Sequence, residues 1–513
     1  MSPQSMLLLF LIVFIYQTPS SISTQDFDFL ITLGDAVDQL KDMITLVSSF
    51  SDLLWGGDKL SASAVADCLD LLDLSIDETT WAISATQEFS KRSAASASSI
   101  VRHQHDLRSW LSAVLSNQDT CNQGLSHINI LLKTLIVQGM ETVTSLISYG
   151  LSGIPGEYYG GEARGRNLMG VVENGYPGWV EEMDRRLLHR ALGEYMNVDM
   201  VVAADGSGDF KTISSAVKSV PDKSEQRIVI YVKSGVYKEN VYVHKDKWNI
   251  MLIGDGIGST VITGDRNFVD GWTTYRSATF AVDGKKFMAK DITFENTAGP
   301  KKYQAVALRS NSDFSVFYRC EMDGYQDTLY PHSLRQFYRE CIIKGTVDFI
   351  FGNGAVVFQT CQILARKPLP HQKNTITAQC RNDSNQNTGF TIQYSNITVD
   401  EVLEAEVNSL TETYIGRPWR KYSKTVVMES YLGPAIHPKG WLEWNRQKSS
   451  LSTLYYAEYK NFGPGSRLEN RVNWPGFHVI ETIEEAMKFT VTQLIDGESW
   501  LPGTGVKYVD IPM

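Results

Sequence analysis

The 513-residue chain lacks the marks of several common functional classes. After residue 16 it has no run of about 18 continuous apolar residues, so no membrane span is expected in the mature chain. It has no Gly-x-Ser-x-Gly, and a serine nucleophile elbow is therefore unsupported. The histidines beyond residue 200 (His244, His332, His371, His437 and His478) show no ligand spacing, so no metal site is expected. No basic stripe stands out from the acidic residues, which argues against a nucleic-acid partner. Gly254-Asp255-Gly256-Ile257-Gly258-Ser259 resembles a dinucleotide loop but lacks the final glycine and a following helix; it reads as a turn.

What is present begins with an apolar run of 11 residues, Met6 to Tyr16, followed by small polar residues from Ser20 to Thr24. It is too short to span a bilayer and reads as a secretory signal over residues 1–24. Six cysteines in a secreted chain permit disulfides. Asn382-Asp383-Ser384 and Asn396-Ile397-Thr398 fit the N-glycosylation rule, and suit ordinary turns equally well. The net charge of −10 is uneven: residues 1–198 hold 12 Lys+Arg against 23 Asp+Glu, and residues 199–513 hold 36 against 35.

Residues 25–150 have the 3.6-residue period of helices, as in Val65, Leu69, Leu72 and Ile76, and in the segments 100–115 and 128–146. Few Gly or Pro interrupt them, so an all-α antiparallel four-helix bundle is expected. Cys68 and Cys121 would lie on two of its helices, either bridged or as buried thiols. Residues 151–195 collect Gly and Pro and read as a linker. The linker carries Arg164-Gly165-Arg166-Asn167-Leu168-Met169 and Arg185-Arg186-Leu187-Leu188, and a dibasic pair in an exposed segment invites proteolysis. From residue 196 to 513 short apolar strands dominate, such as 228–232, 250–254 and 289–294. Short helices are expected at 212–220, as an end cap, and at 482–495.

Within that region the sequence echoes itself. Phe317-Tyr318-Arg319-Cys320, Phe337-Tyr338-Arg339-Glu340-Cys341 and Val357-Phe358-Gln359-Thr360-Cys361 place cysteines 21 and 20 residues apart. Such a period favours an all-β right-handed parallel β-helix over a sandwich. Asp327 and Asp348, also 21 apart, then lie on neighbouring coils roughly 4.8 Å apart. Two close carboxylates resist ionising together, which suits an acid and a base. Gln304 precedes Gln326 by 22 residues and adds amide donors able to stabilise an oxyanion. The set fits acyl transfer with a carboxylate nucleophile, yet a retaining glycosidase also uses close carboxyls, and a hydrogen-bonded ladder would look the same. In Gly416-Arg417-Pro418-Trp419, Arg417 offers a fork for a carboxylate and Trp419 a flat face for a sugar ring.

Five motifs in order make the chain resemble plant pectin methylesterases made with an N-terminal inhibitor-like domain. They are Gly235-Val236-Tyr237-Lys238-Glu239, Gln304-Ala305-Val306-Ala307-Leu308, Gly324-Tyr325-Gln326-Asp327-Thr328-Leu329-Tyr330, Asp348-Phe349-Ile350-Phe351-Gly352 and Gly416-Arg417-Pro418-Trp419. The helical part is similar to the inhibitor-like domain at Asp67-Cys68-Leu69 and from Trp110 to Cys121. The resemblance implies Asp348 as nucleophile and Asp327 as acid, then base. It implies Gln326 as oxyanion donor assisted by Gln304, Arg417 as the group that keeps Asp348 ionised, and Thr274 and Trp419 as substrate contacts. It implies a Cys320–Cys341 bridge, leaves Cys361 and Cys380 bridged or free, and implies no cofactor. Methylated homogalacturonan of the cell wall becomes the expected substrate. A proteinaceous inhibitor and a subtilisin-like processing protease become expected partners, the latter acting at Arg185-Arg186-Leu187-Leu188. Glycan cleavage, or an inhibitor-type protein without activity, stays as the alternative.

Overall fold

The computed structural model describes residues 24–54, 58–92, 95–125, 130–155, 198–404, 411–444 and 448–512. The expected signal, apart from its last residue, and nearly all of the expected linker with both basic motifs lie outside the described residues.

Four helices make the N-terminal part: α1 (Thr24–Leu54), α2 (Lys59–Ser90), α3 (Ala97–Gly124) and α4 (Ile130–Gly153). Asp58 and Ser96 begin α2 and α3 by accepting from the third amide on, Ser61 at 3.0 Å and Ser99 at 3.2 Å, which satisfies a donor the helix leaves free. Leu33, Leu40, Leu72, Leu111, Val114 and Ile147 meet in the bundle core. The Cys68–Cys121 disulfide ties α2 to α3 across 53 residues. The last helix runs to Gly153, with Leu151 fully buried, so the bundle extends a little past the expected boundary.

The remainder is a parallel β-helix. Among the described residues its strands form three sheets of 11, 8 and 7 members, every pairing parallel, and most coils give one strand to each sheet. From Asp291 onward a single left-handed residue turns the chain out of the first sheet toward the second. Asp291, Arg319, Glu340, Thr360, Tyr394, Glu429 and Lys460 hold this corner with φ between 45° and 59°. Such a φ costs a non-glycine residue about 1–2 kcal/mol. The ladder offsets it, since the corner amides of Arg319, Glu340 and Thr360 donate to carbonyls of the next coil at 2.9–3.1 Å. This corner explains why 289–294 is two strands, Met288–Lys290 and Thr293–Asn296, where one was expected.

The register follows the cysteines and not the Phe-Tyr-Arg echo. Phe317 pairs with Tyr338, and Tyr338 with Phe358. These rings stack inside the coil with centroids 4.8 and 4.9 Å apart. Phe337 consequently faces outward, under the C-terminal helix Val491–Ile495. The expected helix at 482–495 breaks at Thr490, because Ala486 and Phe489 pack on one cluster while Val491, Leu494 and Ile495 pack on another. The helix Ile213–Ser219 closes the N-terminal end by burying Ile213, Ala216 and Val217, as expected of a cap.

The expected Cys320–Cys341 bridge is absent. Cys320, Cys341, Cys361 and Cys380 are buried free thiols. Cys341 donates to the Phe317 carbonyl at 3.2 Å and Cys320 toward that of Tyr318 at 3.5 Å, so each thiol is turned to the main chain. Burial pushes the Cys320 thiol up to about 12, which keeps it an inert core group.

The third sheet ends each coil beside the cleft, and it depends on close backbone approach. Gly352 has φ +136°, and a Cβ there would lie 2.3 Å from the Pro331 carbonyl oxygen. Gly352→Ala should cost roughly 2–4 kcal/mol from strain plus overpacking. Denaturant unfolding measures this, and an unchanged midpoint would contradict the packing described.

Candidate active site

Asp327 and Asp348 precede neighbouring strands of the third sheet at equivalent positions. Leu329 pairs with Ile350, so the residues two places earlier are opposite one another. Both aspartates adopt left-handed backbone, φ 63° and 50°, and both are buried. The two carboxylates are nonetheless held differently. Arg417 donates from Nε to one oxygen of Asp348 at 2.7 Å and from Nη2 to the other at 2.6 Å. The Thr375 hydroxyl donates to Asp348 at 2.6 Å and accepts its main-chain N–H at 2.9 Å. A bidentate guanidinium and a hydroxyl donor thus engage both oxygens of Asp348. Asp327 has no such donor. Burial, then the charge of Asp348, raises it well above the usual carboxylate range, with Arg417 opposing.

Arg417 is aimed by its own strand. Its amide donates to the Thr377 carbonyl at 2.9 Å, and its guanidinium lies 4.3 Å from the Trp444 ring centroid. Gly416 allows this approach, since a Cβ there would lie 2.0 Å from the Thr377 hydroxyl oxygen. Gln326 and Gln304 both line the same cavity of about 470 Å³. Their 22-residue spacing is one out of step with the 21-residue register of Leu308 on Leu329, yet both amides reach the cavity half-buried. Neither side-chain amide is hydrogen-bonded to another described residue, so both remain available as donors at the cavity.

Thr274 and Trp419 line this cavity too. Trp419 belongs to an aromatic wall: it stacks on Trp444 at 6.2 Å and meets Phe351 at 6.0 Å, which in turn stacks on Tyr330 at 4.1 Å. Tyr330 and Phe351 are 21 residues apart, so the period that pairs the aspartates could also have placed them. Trp444 carries no such signal. The bundle roofs the cavity, and Leu60, Asp67, Thr120 and Gln123 face into it. Thr120 bonds His332 at 2.8 Å, and Trp110 donates to Asp313 at 3.0 Å. Among the described residues, no group of three or more His, Cys, Asp or Glu side chains could hold a metal ion.

An arginine-paired carboxylate, a neighbouring carboxyl raised by burial and two glutamine side chains meet in one cavity. The family model "Pectinesterase" matches residues 199–498. This chain belongs to the pectinesterase family. A second model, "Plant invertase/pectin methylesterase inhibitor", matches residues 16–152, the helical part. A pectinesterase/pectinesterase inhibitor of Prunus persica is 51% identical over 481 residues, covering 94% of this chain and 88% of that protein. Pectinesterase 1 of Solanum lycopersicum is 47% identical over 479 residues, covering 93% and 84%. Among solved structures, pectin methylesterase from carrot matches with 52% identity and a TM-score of 0.61, covering 63% of this chain and 100% of its own. The enzyme of Aspergillus niger matches with 30% identity and a TM-score of 0.52, covering 62% and 99%.

In this pectinesterase-family site the raised Asp327 has a consequence for stability. A carboxyl whose folded value is raised contributes stability that is present below its unfolded value, and that is lost as pH rises through the folded value. Asp327→Asn removes this loss. The variant and the wild type should melt alike in acid, with the variant becoming the more stable as pH rises. Thermal melts across pH check this; a gap that does not change with pH would contradict the protonated Asp327.

Proposed function

We propose that the chain hydrolyses methyl esters of cell-wall homogalacturonan, giving methanol and a free galacturonate carboxyl. The observation that carries this reading is the asymmetric carboxylate pair, one member locked by Arg417 and the other raised by burial. Asp348 attacks the ester carbonyl carbon. The developing oxyanion takes N–H bonds from Gln326, with Gln304 assisting, inside a cavity where such bonds are strong. As the C–O bond breaks, Asp327 gives its proton to the departing methoxide. Methanol leaves and an acyl-Asp348 intermediate remains. Asp327, now a base, takes a proton from water. The hydroxide attacks the acyl carbon, and the acid product and ionised Asp348 are released. Arg417 stays on Asp348 in the resting state, while Trp419 and Thr274 contact the sugar chain. The reaction calls for no cofactor.

Ester hydrolysis accounts for the free amides, which glycan cleavage does not require, and none of the matched relatives or structures supports cleavage of the polymer. An inhibitor-type protein without activity is disfavoured by the intact site. The bundle nevertheless closes it. The working enzyme therefore requires that residues 196–513 be separated from the bundle, by a subtilisin-like protease at Arg185-Arg186-Leu187-Leu188 or at Arg164–Met169. A proteinaceous inhibitor of the same bundle type could then occupy the vacated face. The leader at 1–24 would send the chain to the cell wall, with Asn382 and Asn396 as glycan acceptors. No helix among the described residues is long and apolar enough to cross a membrane.

Methanol release from methylated pectin tests this. Residues 196–513 should be active, the uncleaved chain far less so, and Asp348→Ala inactive. Asp327→Asn should lose about 10²- to 10⁴-fold in kcat, the usual contribution of a positioned proton donor. Activity in Asp348→Ala equal to wild type, or new reducing ends in place of methanol, would sink the assignment.

A further inference from the structure

Most ion-paired arginines of the β-helix find their carboxylate within the β-helix. Arg417 pairs with Asp348, Arg319 with Asp291, Arg366 with Asp323 and Arg471 with Glu458. Arg276 and Arg420 do not. Arg276 holds Asp67 at 2.7 Å and also Asp70, both on α2. Arg420 holds the two oxygens of Asp119, on α3, at 2.9 and 3.1 Å. All the acidic partners of these two forks are therefore lent by the bundle, which carries 16 acidic against 7 basic residues over 24–153.

Each fork sits beside residues that line the catalytic cavity, although neither guanidinium lines it itself. Arg276 follows Thr273, Thr274 and Tyr275, which line it, and Asp67 itself faces into it. Arg420 follows Trp419, with its guanidinium 5.5 Å from that ring. Register fixes their order. Phe280, just past Arg276, pairs with Leu308, Leu308 with Leu329, and Leu329 with Ile350 behind Asp348. Ile350 pairs with Thr377, and Thr377 with Gly416 before Arg417. The nucleophile thus lies three coils from Arg276 and two from Arg420, or about 14 and 10 Å at the spacing of adjacent strands.

We infer that Arg276 and Arg420 are carboxylate-binding subsites for galacturonates already freed of their methyl groups, on either side of the ester under attack. This deepens the esterase reading and rests on it. The bundle carboxylates Asp67 and Asp119 occupy these subsites in the uncleaved chain, in the way that the acidic product would. A guanidinium fork matches a carboxylate and not a methyl ester, which offers a weaker acceptor and no charge. The even overall charge of the β-helical part conceals this, because the two cations are local to the cleft.

The test uses residues 196–513. The carrot enzyme is a precedent for this part standing alone, since its entire chain matches a part of this one. A fully de-esterified oligogalacturonate is the probe, as inhibitor of methanol release and as titrant in calorimetry. Wild type should bind it and be inhibited, while Arg276→Ala and Arg420→Ala should each need about three- to tenfold more, the scale of a partly exposed charged pair. Arg276→Lys and Arg420→Lys should recover part of the affinity, which separates lost charge from a damaged fold. Equal inhibition of wild type and both alanine variants would overturn the inference while leaving the esterase intact. Binding that follows the arginines in a preparation that releases no methanol would support the subsites and defeat the esterase reading.

Discussion

The fork of Arg417 on Asp348 sets the charge state of the whole cavity. Two buried carboxyls on adjacent coils cannot both be ionised cheaply, and without Arg417 and Thr375 nothing would decide which one gives way. The fork pairs Asp348 with a guanidinium, and the charge of Asp348 then adds to burial in raising Asp327. The two carboxyls are thus told apart chiefly by the Arg417 contact, which comes from a third coil. That contact in turn needs the glycine at 416, the only residue that lets the strand pass Thr377 closely enough.

A β-helix suits this arrangement because it makes distant residues into neighbours at fixed spacing. The left-handed corners are the geometric cost, and they recur in non-glycine residues such as Arg319, Glu340 and Thr360 because the ladder holds them. Asp327 and Asp348 are left-handed as well. Their strain is therefore of a kind the fold tolerates repeatedly, and what distinguishes them is where their side chains are aimed and what Arg417 does to one of them.

Much of this was legible in the sequence for one reason: a period near 21 residues directly encodes which residues lie side by side. It located the aspartate pair, and the helical and β-rich halves separated by their own periodicities. The period also misled where two echoes competed. Phe337 repeats Phe317 in the Phe-Tyr-Arg echo, but the cysteine spacing is the true register and sends Phe337 to the outer face. The Cys320–Cys341 bridge suggested by resemblance is not formed, since proximity on neighbouring coils does not turn two thiols toward each other. Trp444 and the bundle residues Leu60, Asp67 and Thr120 were invisible as site residues because tertiary docking, and no local pattern, brings them to the cavity. The acidity of the N-terminal part was plain, while its partners Arg276 and Arg420 became evident only once the two parts were seen in contact.

The central claim is that Asp327 is a neutral acid beside an ionised Asp348. Infrared difference spectroscopy of wild type against Asp327→Asn, at mildly acidic to neutral pH, tests it most directly. The account predicts that the substitution removes the C=O stretch of a protonated carboxyl. Loss of carboxylate stretches in its place would show Asp327 ionised and would contradict the account.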